Sequence, residues 1–400
     1  MRAASLALLA CATLVAVPAR AEFEASLDLR LLDSDGRTTF LDGGLGKLRF
    51  DSTEDGLRLG RLRLAWRGGI GGDWHANIDL SAWSVDDHNF IDVTEAWVEW
   101  RPVPQSAWRS NLKIGAFFPP VSLEHRAPGW SNPYTLASSA LNTWVGEELR
   151  TIGVGYELEH LGQQQDSAFD YGFNVAIYGW NDPAGVIVGN RGFALHDRQT
   201  PLFGRIGTFT YGGPTQRVLF AEIDDRPGWQ AGAYVKHDSG VELRALHYDN
   251  RADPAAYSPS ISDYAWLTRF DSVGVRYDGP HGTTLIAQWL GGDTAAGPDS
   301  AYYWDFEAAF GLIAQQVGPV RFAFRYDDFH TTQTSSPWPG PLGAERGDAL
   351  TFNATWAVHE HIELIAEWME VRSYFNGRYA LGEDPAANER ILQLALRLTL

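Results

Sequence analysis

Apolar and polar residues alternate with a period of two along most of the chain. The last segment shows it best: Leu392, Leu394, Leu396, Leu398 and Leu400 share one face, and Gln393, Ala395, Arg397 and Thr399 share the other. Val320, Phe322, Phe324 and Tyr326 alternate in the same way with Arg321, Ala323, Arg325 and Asp327. Leu350, Phe352, Ala354 and Trp356 alternate with Thr351, Asn353, Thr355 and Ala357, and Trp74, Ala76, Ile78 and Leu80 with His75, Asn77, Asp79 and Ser81. Successive side chains of an extended strand point to opposite faces, so each run predicts a strand with one apolar and one largely polar side.

The connections alternate in length. Short ones fall at 68–71, 102–108, 160–167, 238–240, 279–282, 316–319 and 359–361. Long ones fall at 33–56, 84–90, 119–148, 181–226, 251–264, 293–301, 331–347 and 374–388. Strict alternation of seven short and eight long connections predicts sixteen strands with both chain ends on the short-turn side. The segments 202–212 and 217–225 form either a hairpin inside the fourth long connection or two further wall strands, which would make eighteen. The expected fold is all-β, a transmembrane antiparallel up-and-down β-barrel. In lipid every backbone N–H and C=O needs a partner, and only closure removes the edges. Aromatic residues crowd the predicted strand ends at Trp66, Trp97, Trp100, Phe117, Phe118, Tyr178, Trp180, Trp266, Trp289, Tyr302 to Trp304, Trp356 and Trp368, where membrane girdles are expected.

Composition agrees and excludes alternatives. With 16 Trp, 41 Gly and 2 Met the chain suits strands and turns. Its formal charge of -18 repels a phosphate backbone, so no nucleic-acid partner is expected. Past the first twenty positions no apolar run reaches the length of a membrane-spanning helix. Met1-Arg2, the apolar run Ala3 to Val17 and Ala19-Arg20-Ala21 predict a signal peptide over 1–21, cleaved after Ala21. Residues 22–400 would then form a single barrel in a bacterial outer membrane. Cleavage would also remove Cys11, the only cysteine.

The third long connection stands apart. Val121, Leu123, Trp130, Leu136, Leu141 and Trp144 give it an apolar share unsuited to an exposed tip, so 119–148 is expected to fold back into the lumen as a constriction loop. Glu124, His125, Arg126, Glu147, Glu148 and Arg150 would bring both signs of charge to that constriction, where opposed charges orient a dipolar solute. The alternative is that they are salt bridges anchoring the loop.

Two motifs carry a family resemblance. Gly115-Ala116-Phe117-Phe118-Pro119-Pro120-Val121-Ser122-Leu123-Glu124 resembles the Gly-x-Phe-x-x-Pro-Phe-x-x-Glu signature of the phosphate-selective porin O and P family, and Arg150-Thr151-Ile152-Gly153-Val154 resembles that family's Arg-x-x-Gly-Val. Val121 stands where the family usually has an aromatic residue. The resemblance implies a sixteen-stranded outer-membrane pore, usually a homotrimer, whose third loop narrows the channel. Arg61, Arg63, Arg67, Lys113, Arg321, Arg325 and Arg397 lie on the polar faces of their strands and are expected in the lumen. They either form rings that favour anions or pair with Asp28, Asp79, Glu95, Glu99 and Glu367 to stiffen the wall.

The chain has no nucleophile elbow, phosphate-binding loop, His-Glu-x-x-His motif or cysteine pair, so neither an enzyme, a cofactor nor a metal is expected. The function expected is a porin: a water-filled channel for passive diffusion of small hydrophilic solutes or ions, anions among them, embedded in outer-membrane lipid and lipopolysaccharide. Two alternatives stand beside it, a secreted or periplasmic all-β carbohydrate-binding protein and a plugged barrel acting as adhesin or structural anchor.

Overall fold

The computed structural model describes residues 21–83, 91–210, 213–337, 340 and 342–400. Residues 1–20 of the expected signal peptide, 1–21, and the second long connection at 84–90 lie outside the described residues.

The chain closes into a barrel whose strands follow one another antiparallel. The first seven are β1 (Ala21–Ser34), β2 (Gly56–Gly71), β3 (Trp74–Ala82), β4 (Asp92–Trp100), β5 (Trp108–Phe117), β6 (Thr151–His160) and β7 (Phe169–Gly179). β8 (Arg205–Thr210) and β9 (Gly213–Val218) pair only with each other, and so do β12 (Tyr257–Ser258) and β13 (Asp263–Tyr264). The wall continues through β10 (Gly228–His237), β11 (Val241–Asp249), β14 (Trp266–Asp278), β15 (Thr283–Ala296) and β16 (Tyr302–Val317). It ends with β17 (Val320–Ser335), β18 (Glu345–His359), β19 (Ile362–Phe375) and β20 (Ala386–Thr399). β20 pairs with β1, Leu398 opposite Leu27 and Arg397 opposite Asp28, which closes the wall at sixteen strands. The 202–225 segment therefore supplies the β8–β9 hairpin and no wall strand.

The strand faces sort as the alternation predicts. Phe322, Phe352, Leu392 and Leu394 stand exposed on the outside, while Ala323, Asn353 and Gln393 are buried within. On the longer strands the outer face changes character with height. Val273, Val275, Phe322 and Tyr326 make it apolar toward the short turns. Toward the long loops it carries Arg269 paired with Asp293 at 2.6 Å, His247 with Asp271 at 2.8 Å, and His330 near Glu307 at 3.7 Å. β14 to β20 therefore extend past the apolar belt, with 13 to 16 residues each against 9 to 11 in β3 to β7, β10 and β11.

Six of the expected girdle aromatics are inside the barrel. Trp97, Phe117, Phe118, Tyr178, Trp266 and Trp304 are all buried. Strand ends on both faces attract aromatic residues here, because the inner face meets protein instead of water: Phe118 stacks on Trp130 at 4.2 Å and Tyr178 on Tyr248 at 5.2 Å. The long-loop half of the interior is filled by three inward-folded stretches of the long connections, 35–55, 118–150 and 180–201. Their Phe50, Leu141, Trp144, Val145, Val188 and Leu195 join Phe270, Leu290, Phe306, Phe310 and Met369 of the wall in one buried apolar cluster. A backbone bridge between Leu48 and Leu195 ties the first of these loops to the fourth. The inner face of β16 is thus apolar, with Phe306, Ala308, Phe310 and Leu312 buried, where an open lumen would be polar.

Candidate functional site

The third loop is positioned by backbone chemistry at both of its ends. Pro119 and Pro120 end β5, since proline cannot donate to a ladder. Gly115 holds φ +133, and a Cβ there would lie 2.3 Å from the Ala96 carbonyl oxygen. A Cβ on Gly153 would lie 2.1 Å from the Ile177 carbonyl oxygen, so both motif glycines are close-approach positions. Inside the loop, Ser139 caps the helix α1 (Ala140–Glu148), accepting from the Asn142 N–H.

Wall side chains then stitch the loop down. The Arg325 guanidinium donates to the carbonyls of Ala137 and Ser138, at 2.7 and 2.9 Å, and pairs with Asp327 at 2.7 Å. Glu367 accepts from the Leu136 and Ala137 N–H groups, and Asp327 from that of Ala140. Gln288 accepts from the Leu123 N–H and donates to the Val121 carbonyl.

The six constriction candidates separate into two groups. Glu124, Glu147, Glu148 and Arg150 are buried, at most 1% exposed. Glu124 accepts from the Ser139 N–H and hydroxyl and from the Asn132 and Asn142 amides, all at 2.6 to 2.9 Å. Glu147 holds Arg191 and His196 of the fourth loop. Burial opposes its charge, yet Arg191 and then His196 bring its carboxyl down to about 2. Glu148 accepts from the Trp144 indole and from the Gly185 and Ile187 N–H groups at the start of α2 (Val186–Asn190). Burial outweighs these bonds and pushes its carboxyl up to about 8. Arg150 donates to the Leu149 and Thr200 carbonyls and lies 3.6 Å over the Phe118 ring.

Of the remaining two, Arg126 stands nearer water while the His125 ring is buried. His125 bonds Ser122 and Ser138 and stacks on Trp130 at 3.8 Å, and burial with Arg325 and Arg61 nearby keeps its imidazole well below its ordinary range, hence neutral. Arg126 is one-third exposed and makes a two-pronged bond to Glu242 at 2.9 and 3.0 Å.

Beneath the loop, on the short-turn side, lies a vestibule of about 500 Å3 lined by Arg61, Arg63, Arg321 and Arg397 together with Glu24, Asp28, Asp197 and Glu363. Its acids are mostly neutralised. Asp28 binds Arg397 at 2.7 Å and Arg30 at 3.3 Å, Glu24 binds Arg63 at 2.7 Å, and Glu363 binds Arg397 at 3.4 Å. In the roof, Asp197 is clasped by Arg30 at 2.5 Å and Arg49 at 3.1 Å, and these two hold its carboxyl far below the usual range in spite of burial. Arg63 also binds Asp79 at 2.6 Å, and Lys113 lies 3.7 Å from Glu99. Arg61 and Arg321 have no carboxylate at ion-pair distance among the described residues. Arg61 bonds Ser81, Ser131 and the Gly129 carbonyl, and Arg321 the Pro133 carbonyl. Arg67 lies over the Trp97 ring. All seven basic candidates therefore face inward.

Asp197, Arg30 and Arg49 were not singled out from the sequence. The fourth loop does carry the signal that marked the third, an apolar run in a long connection, at Ala184 to Val188.

This architecture, an even-stranded barrel with an apolar belt outside, charges within and a third loop folded inward, is the fold of the outer-membrane porins. Solved structures that share it include OmpF of Salmonella typhi in complex with daunomycin (TM-score 0.56, 11% identity, 96% of this chain and 98% of that one) and the trimer form of OmpT, an outer membrane protein of Vibrio cholerae (0.55, 8%, 95% and 99%). The anion-selective porin from Comamonas acidovorans is similar as well (0.53, 10%, 96% and 100%). No protein-family description matches the chain, and no curated protein does.

Proposed function

We propose that the chain is an outer-membrane porin, exported by a signal peptide cleaved after Ala21, that passes small hydrophilic solutes and ions through a lumen narrowed by its first, third and fourth loops. The observation that carries this is the charged vestibule under the inward-folded third loop, inside a wall whose outer belt is apolar. Anions are favoured, because Glu24, Asp28, Asp197 and Glu363 are paired with arginines, leaving the exposed Glu360, while Arg61 and Arg321 lack carboxylate partners among the described residues. His125, Arg126 and Asp197, the last held from behind by Arg30 and Arg49, border the path; Glu124, Glu147, Glu148 and Arg150 anchor the loops that shape it. Kinship with the phosphate-selective porins O and P is supported by the roles of Gly115, Glu124, Arg150 and Gly153 in seating the third loop. A homotrimer surrounded by lipid and lipopolysaccharide suits the apolar belt and the charged rim above it.

A second reading, a plugged barrel, is favoured by the buried apolar cluster that fills the long-loop half of the lumen. Planar-bilayer recording separates the two. Discrete steps with a reversal potential that shifts in Arg126→Ala support the porin. A silent bilayer, with heat-modifiable migration proving insertion-competent barrels, supports the plug.

A further inference from the structure

Where the fourth to eighth long loops meet, a cavity of about 350 Å3 opens at the outer mouth, within the range of small-molecule sites. Its floor is aromatic. Trp266 and Trp304, 5% and 3% exposed, stack at 5.4 Å beneath it, and the more open Tyr302 lies parallel to Trp304 at 6.3 Å. Tyr257 and Tyr264 of the β12–β13 hairpin form a wall, with Tyr257 half exposed.

Two glycines make room for these rings. A Cβ on Gly189 would lie 2.7 Å from Trp266, and one on Gly343 2.1 Å from the Trp304 indole nitrogen. That indole N–H is buried and has no acceptor among the described residues. At the edge of the rings Arg217 pairs with Asp263 at 2.6 Å, and the Arg217 Nε–H also has no acceptor among the described residues. The Asn190 and Gln333 amides complete the polar lining.

Flat apolar faces bordered by a carboxylate, a guanidinium and amides match one ligand chemistry well. A pyranose ring offers C–H faces to aromatic rings and hydroxyls at its rim to bridge the charged pair. We propose that this cavity binds a neutral pyranose sugar at the outer mouth of the barrel. The site lies outside the third-loop vestibule, so it holds whether or not the lumen conducts.

The test is isothermal calorimetry on the full chain folded in detergent, titrated with maltose, cellobiose and lactose. Millimolar binding of at least one sugar is expected, weakened about tenfold or more in both Asp263→Ala and Tyr257→Ala, each checked for folding by heat-modifiable migration. Three results would overturn the proposal: no heat from any of the three sugars with the folded chain, affinity unchanged in both variants, or binding of indole without binding of sugar.

Discussion

Glu147 and Glu148 are adjacent, equally buried and oppositely tuned. What differs is the partner: the Arg191 guanidinium and the His196 imidazole for Glu147, neutral N–H donors for Glu148. A folded protein that keeps a Glu148 proton which the unfolded chain releases loses stability as pH rises from about 4 toward 8, at up to about 1.4 kcal/mol per unit. Glu147 acts in reverse, stabilising above the ordinary carboxylate range and failing as pH falls toward 2. Unfolding midpoints between pH 5 and 8 should therefore decline in the natural chain and stay flatter in Glu148→Gln; equal slopes would contradict the assignment. In the vestibule, Arg61→Ala combined with Arg321→Ala should move the reversal potential in a salt gradient toward cations, and no movement would remove these arginines from the selectivity argument. Strand parity in the sequence puts Arg61, Arg63, Arg67, Lys113, Arg321, Arg325 and Arg397 on polar strand faces, but Arg30, Arg244 and Arg276, which also reach inward to the loops, were not singled out. The sequence did not show which were already paired, since that depends on loops crossing the barrel, as the fourth loop does in bringing Asp197 to Arg30 and Arg49.

At the scale of elements, the third loop is held by the two motif glycines before it is held by any side chain. Gly115→Ala combines a left-handed backbone with a contact to the Ala96 carbonyl oxygen, and should cost about 1–3 kcal/mol. A lowered heat-modifiability midpoint measures this; an unchanged one would mean that the backbone at Ala96 yields freely. The strands and their turns were legible because the alternation is repeated in nearly every element, and the register follows from which face is apolar. The helix α1 was not. Its Ser139 cap stands among Ser138, Ala137 and Ala140, and its residues are buried all round, so no amphipathic stripe announced it. The inward aromatics escaped because only their nearness to strand ends was weighed: Trp97 lies against Arg67 and Lys113, and Tyr178 against Tyr248, on the inner faces of neighbouring strands.

The whole molecule is a barrel of two halves. The short-turn half holds a charged vestibule, and the long-loop half holds an apolar cluster built from wall and loops together. That combination makes the width of the path a property of loop packing. Trp144, fully buried between Phe270 and Phe306, is its centre. Trp144→Ala should cost about 3–5 kcal/mol and leave a void in the filled half of the lumen. The most direct measurement is single-channel conductance in a planar bilayer for the natural chain and for Trp144→Ala, with both shown to be folded barrels. The account predicts small discrete steps for the natural chain and larger ones for the variant. A bilayer silent with both proteins, or steps of equal size in the two, would contradict it.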